Sequence, residues 1–128
     1  MKVLLVSWDP KTREMMRLAV GNGERRGAAA LEFLEERNGE RGVTTAWREL
    51  PDVVVADEIT SRMGAFGLAR DLRGADRPFP GIIAILLDRK QDTWLAEWSG
   101  ADAWFVKPVD PFELAARIVE LLDVKETA

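Results

Sequence analysis

The segment "PDVVVAD", residues 51–57, opens on a proline and an aspartate, runs through three valines and an alanine, and stops on a second aspartate. A short apolar run rich in β-branched residues and bounded by turn formers reads as a buried strand. Similar runs stand on either side of it, at Val3–Val6, Ala29–Leu34, Ile82–Leu86 and Trp104–Val106. Between them the period changes to that of a helix. Val43, Ala46, Trp47 and Leu50 form one stripe, Ala65, Leu68, Ala69 and Leu72 another, and Leu114, Ala115, Ile118, Leu121 and Leu122 a third. Apolar residues at i, i+3, i+4 and i+7 mark the core-facing side of a helix. Strands alternating with helices predict an α/β fold, a five-stranded parallel sheet covered by helices on both faces.

The chain has 128 residues, enough for a single domain, 1–128, that buries roughly two thirds of its unfolded surface. Its net charge is −4, with Lys and Arg scattered along it, so it lacks the basic stripe that nucleic acid binding needs. There is no cysteine and no histidine. Disulfide and thiolate chemistry, the usual proton shuttle and every Ser/His or Cys/His pair are therefore excluded. The longest apolar run, "GIIAILL" at 81–87, falls far short of the ~20 residues of a membrane helix. The expectation is a soluble, cytoplasmic protein without a signal peptide and with no membrane partner.

Two helices open with Asp-Pro, at Asp9-Pro10 and Asp110-Pro111. The aspartate can cap the helix, and proline at the first helical position gives up an N–H that has no partner there. "GNGERRG" at 21–27 follows a helix rather than a strand, so it reads as a helix stop and loop, not a phosphate cradle. "RNGERG" at 37–42 reads as a turn before a helix.

In an open α/β sheet, ligands bind beyond the carboxyl ends of the strands, near the point where strand order reverses. The residues to inspect there are Ser7, Trp8 and Asp9, Asp57 and Glu58, Leu86 and Leu87, and Lys107-Pro108. Here "PDVVVAD" and "GADAWFVKPVDPFELAARI" (100–118) together resemble the receiver domain of two-component response regulators, and the resemblance extends over essentially the whole chain. It implies a flavodoxin-like (βα)5 fold with strand order 2-1-3-4-5. It makes Asp57 the phosphoacceptor position and Lys107 the phosphate-contacting lysine, with a cis bond before Pro108. Leu86 and Trp104 fall at the family's switch positions.

Departures from the family pattern are concentrated at the pocket. Two adjacent acids that hold Mg²⁺ are replaced by Ser7 and Trp8, the strand-four hydroxyl residue by Leu86, and a common proline by Ser61. Phosphoryl transfer depends on positioning and charge neutralisation, and hard Mg²⁺ wants oxygen ligands. Asp57 and Asp9 are the remaining candidate metal ligands, and Asp9 is better explained as a helix cap. Trp8 is expected to fill the ion's space and Asp57 to form a standing ion pair with Lys107. Glu58 reads as simply exposed.

Five tryptophans with no tyrosine is a skewed aromatic usage. Trp47 lies on a core stripe. Trp94 and Trp98 share one face of the fourth helix, Trp94 being expected to pack inward and Trp98 to form an exposed interaction surface with Trp104.

The resulting expectation is an atypical receiver, not an enzyme and without a cofactor. It would signal through a protein partner: a histidine kinase, a phosphotransfer protein or a downstream effector, with a homodimer through the face of helix four, strand five and helix five. The alternatives are a working phosphoacceptor with Mg²⁺ at Asp57, and a flavodoxin-like small-ligand domain.

Overall fold

The computed structural model describes residues 1–22, 31–58 and 62–127. Among these the order is β1 (Lys2–Val6), α1 (Pro10–Asn22), β2 (Glu32–Glu36), α2 (Gly39–Glu49), β3 (Val53–Asp57), α3 (Ala65–Arg73), β4 (Ile82–Leu87), α4 (Thr93–Ser99), β5 (Ala103–Val106) and α5 (Pro111–Thr127). A single turn of 3₁₀ helix, Lys90–Asp92, leads into α4. The strands form one parallel sheet in the order β2-β1-β3-β4-β5, as expected. No helix among the described residues is long and apolar enough to cross a membrane.

Every residue of β3 and β4 is buried, because helices cover both faces of these inner strands. Alternate side chains go to opposite sides. Leu4, Val6, Val54, Ile83, Ile85 and Leu87 pack with Leu68, Leu72 and Phe79 under α2, α3 and α4, while Val3, Leu5, Val53, Val55 and Leu86 pack with Met16, Leu114 and Ile118 under α1 and α5. Strand order reverses at β1, so a crevice opens between the carboxyl ends of β1 and β3. That placement brings Ser7 to Asp57.

Three sequence expectations are corrected. The second strand begins at Glu32 rather than Ala29, in register Lys2↔Glu32 to Val6↔Glu36; Ala29, Ala30 and residues 23–27 of the glycine-rich stretch lie outside the described residues. β2 is an edge strand, and of its sequence "EFLEE" Phe33 and Leu34 are partly buried, one against each core, and Glu36 is partly buried beside Thr45. Charged residues are common on sheet edges, where they discourage pairing with another chain. In "RNGERG", Gly39 and Gly42 are already helical, behind an N-cap in which the Asn38 side chain accepts from Arg41 N. A Cβ at Gly39 would lie 2.1 Å from the Met63 carbonyl oxygen, so this close approach, not a turn, is what requires glycine. Finally, Trp47 is 38% exposed and meets Phe79 edge-on at 5.9 Å. The buried line of α2 is instead Gly39, Gly42, Thr45 and Ala46.

Both Asp-Pro caps form: Lys11 N donates to Asp9 Oδ1 and Phe112 N to Asp110 Oδ1. At the opposite end of the sheet, Arg73 ties α3 to the segment before β5, donating to the carbonyl oxygens of Phe79 and Gly100 and to Asp102. Gly100 has φ 87°, and a Cβ there would meet Arg73 Cγ at 2.9 Å. A left-handed L-residue costs roughly 1–2 kcal/mol. Gly100→Ala should therefore lower the unfolding free energy from urea titration by roughly 1–2 kcal/mol or more, and an unchanged midpoint would contradict the close packing of Arg73 on this turn.

Candidate functional site

Asp57 ends β3 and is 1% exposed. A buried carboxylate must be paired or hydrogen-bonded. Lys107, just past β5, places Nζ 2.6 Å from Asp57 Oδ1, and Ser7, just past β1, donates its hydroxyl to Asp57 Oδ2 at 2.9 Å. The ion pair expected between Asp57 and Lys107 is present, and the Lys107–Pro108 bond is cis.

Ser7 is held as firmly as the aspartate it serves. Its N–H donates to Glu36 O, its carbonyl accepts from the Arg13 guanidinium at 2.6 Å, and its hydroxyl oxygen accepts from Asp9 N. Trp8, in contrast, is 56% exposed, so it does not bury itself in the ion's place as expected. The residue that meets Asp57 from strand one is the serine.

Asp88 was missed in the sequence. It follows β4 directly, because that strand runs one residue beyond the predicted Leu86. Its Oδ1 lies 2.7 Å from Lys107 Nζ, so one ammonium bridges two carboxylates. Burial works against the charged amine, but the hydrogen bonds to Asp57 and Asp88, together with their charges, hold Lys107 above the ordinary lysine pKa.

Glu58 was read as exposed and is in fact half-buried, accepting from Asp88 N through Oε2. Burial, followed by its hydrogen bond to Asp92 and the charges of Asp92 and Asp88, pushes it up to about 7. Asp92 is nearly buried and lies below the usual carboxylate range through its bonds to Arg89 and Glu58.

The residues present do not fit a magnesium ion. Mg²⁺ takes oxygen ligands in near-octahedral geometry. The Ser7 hydroxyl is already directed at Asp57, the indole of Trp8 offers no oxygen, and a lysine ammonium stands against Asp57. Asp9 is occupied as a cap: the Thr12 hydroxyl and the Lys11 N–H bond both its oxygens and hold its pKa low. Among the described residues no group of three or more metal-ligating side chains comes together.

Of the switch positions, Leu86 faces the α1/α5 core and Trp104 the opposite one, so they lie on different sides of the sheet. Leu87, not Leu86, shares the Trp104 side. Ser61 lies outside the described residues. Trp98 is 53% exposed as expected, but Trp94, expected to pack inward, is 64% exposed. The Arg70 guanidinium stacks 4.6 Å over the Trp98 ring, which directs Trp98 toward α3.

The Glu58–Asp92 pair has a pH consequence. The folded pKa of Glu58 lies above its ordinary 4.5, so its contribution favours the fold fully below about 4.5 and is lost as pH rises through about 7. Glu58→Gln should flatten the pH dependence of the urea midpoint across that window and leave the variant more stable than wild type above it. Parallel curves for the two proteins would contradict this assignment.

No family model matches the chain. It is 30% identical over 122 residues to an uncharacterized response regulatory protein of Mycobacterium tuberculosis, covering 95% of this chain and 91% of that protein. Among solved structures, its fold is similar to the signal receiver domain of a signal transduction histidine kinase from Syntrophus aciditrophicus, with TM-score 0.80, 22% identity and 95% and 89% of the two chains covered. The chemotaxis response regulator CheY4 of Vibrio cholerae gives TM-score 0.74 and 21% identity, with 94% and 96% covered. With Asp57 and Lys107 meeting at the carboxyl edge of a 2-1-3-4-5 sheet, the chain belongs to the response regulators and has the fold of their receiver domain.

Proposed function

We propose that this receiver is atypical and signals through protein contact without magnesium-dependent phosphorylation. The observation that carries the reading is the engagement of both Asp57 oxygens, one by the Lys107 ammonium and the other by the Ser7 hydroxyl. The side chains at the end of β1 bring no second carboxylate to this point. An attacking carboxylate needs a cation that bridges it to the incoming phosphoryl oxygens, and a single tethered ammonium already held by two carboxylates is a poor substitute. In this reading the domain is a binding module rather than an enzyme, and it works without a cofactor.

The partner is a protein of the kind response regulators work with: a histidine kinase, a phosphotransfer protein or a downstream effector. Its docking face centres on α4, where Trp94 and Trp98 stand exposed side by side one helical turn apart, since exposed tryptophans dominate binding hot spots. Continuation across β5 and α5 offers a second copy of the chain a place to sit.

Intact mass after incubation with Mg²⁺ and acetyl phosphate tests the first part. Wild type should gain no phosphoryl group. The double variant Ser7→Asp, Trp8→Asp, which restores an acid pair, should gain one that disappears when Asp57→Asn is added. Phosphorylation of wild type, abolished by Asp57→Asn, would make the protein a switchable phosphoacceptor instead. For the second part, Trp98→Ala should weaken partner capture or self-association at least tenfold, as measured by titration or light scattering; no change would remove this surface from the proposal.

A further inference from the structure

The segment "RNGERG" (37–42) supplies three of the six residues that line a cavity of about 460 Å³ at the carboxyl end of β2. Arg37, Asn38 and Arg41 contribute from this segment, Glu35 and Glu36 from the strand, and Arg13 from the first turn of α1. The charges on these walls are unevenly matched. Glu35 accepts from two guanidinium groups, Arg13 Nε on one oxygen and Arg17 Nη2 on the other, and Glu36 accepts from the Thr45 hydroxyl at 2.6 Å. Arg37 and Arg41 are exposed, and among the described residues their guanidinium groups make no hydrogen bond or ion pair. Asn38 gives its side-chain oxygen to Arg41 N and keeps its NH₂ group unbonded among the same residues. The cavity therefore offers two unused cationic forks and an amide donor beside carboxylates that already have partners.

We propose that this cavity binds a small phosphate ester of a hydroxylated molecule, with the phosphate held by Arg37 and Arg41 and the ligand's hydroxyl groups directed to Glu35 and Glu36. A guanidinium fork matches phosphate or carboxylate oxygens in pairs. One fork fills a carboxylate, whereas the three terminal oxygens of a phosphate ester can use two. The volume falls within the ~300–1,000 Å³ of small-molecule sites and exceeds what a bare oxyanion needs. Each carboxylate oxygen has a second lone pair for a ligand hydroxyl. The inference goes beyond the reading of the Asp57 pocket, to which the cavity is linked through Arg13, whose Nη1 donates to the Ser7 carbonyl oxygen.

The test titrates ribose 5-phosphate, adenosine 5′-monophosphate, ribose and inorganic phosphate into the whole chain by calorimetry at fixed ionic strength, with thermal unfolding as a second readout. At least one of the two esters should bind one-to-one and raise the thermal midpoint saturably. Ribose should give no signal, and inorganic phosphate should bind at least about tenfold more weakly than that ester, the equivalent of one lost charge-assisted hydrogen bond. The double variant Arg37→Gln, Arg41→Gln removes two exposed, unpaired side chains and so leaves no buried group without a partner. It should weaken ester binding by at least about tenfold on the same grounds. Arg41→Lys, which keeps the charge without the fork, should weaken it less, and Arg117→Gln, which removes the same charge from α5, should leave it unchanged. Saturable binding of neither ester, equal affinity for inorganic phosphate, or binding that survives Arg37→Gln, Arg41→Gln overturns the inference, and none of these results bears on whether Asp57 accepts a phosphoryl group.

Discussion

The carboxylate of Asp57 is buried at the carboxyl end of β3, within reach of side chains that follow β1 and β5. Burying a charge costs several kcal/mol unless it is paired and hydrogen-bonded, and stripping away one partner of such a pair costs about 3–5 kcal/mol. The surrounding structure meets that requirement from three directions. Lys107 arrives from β5, the Ser7 hydroxyl from β1, and Asp88 from β4 fixes the lysine from its other side. Two of these contacts tie Asp57 to β5 and β1 and the third braces the lysine from β4, so the compensation of one buried charge also links the strand ends.

The same requirement extends outward along the β4 edge. Asp88 bonds Glu58 through its N–H, Glu58 shares a hydrogen bond with Asp92, and Asp92 pairs with Arg89 at the entrance to α4. Carboxyl groups this close cannot all be ionised without strain, and the protein resolves the conflict with one guanidinium and one readily protonated glutamate. The start of α4, the helix that carries Trp94 and Trp98, is thereby anchored to the same polar network as the pocket.

What the sequence made legible follows the strength of its physical signals. Buried strands read at 3–6, 53–56 and 82–86 are unbroken apolar runs with no competing reading, each lying within an observed strand, and the Asp-Pro caps are local and form as their chemistry dictates. The second strand was misplaced because an edge strand needs little apolar content, so Glu32, Glu35 and Glu36 hid it behind the more apolar residues before them. Trp47 looked like core because its spacing fits a stripe, but α2 packs inward through Gly42 and Ala46 and lies against Met63 through Gly39. Asp57 and Lys107 were identifiable from their positions at strand ends, whereas Asp88 and the buried side of Glu58 depended on the length of β4 and on a contact between loops. Neither of these last features has a periodicity to betray it.

The replacements at the end of β1 form a consistent set once the charges are considered together. Two carboxylates and one ammonium leave the pocket with a modest negative balance, and Ser7 completes Asp57 with a neutral donor that adds nothing to it. An aspartate in place of Ser7 would set a further carboxylate at hydrogen-bonding distance from Asp57 with no proton to share and no second cation to offset it. Such an arrangement raises the pKa of one carboxyl group and is relieved by a proton or by an added cation. A hydroxyl at residue 7 and a doubly held lysine at 107 are complementary, the one meeting Asp57 with a neutral donor and the other with a positive charge. Trp8, next to Ser7, turns outward and adds its ring to the surface instead of the pocket.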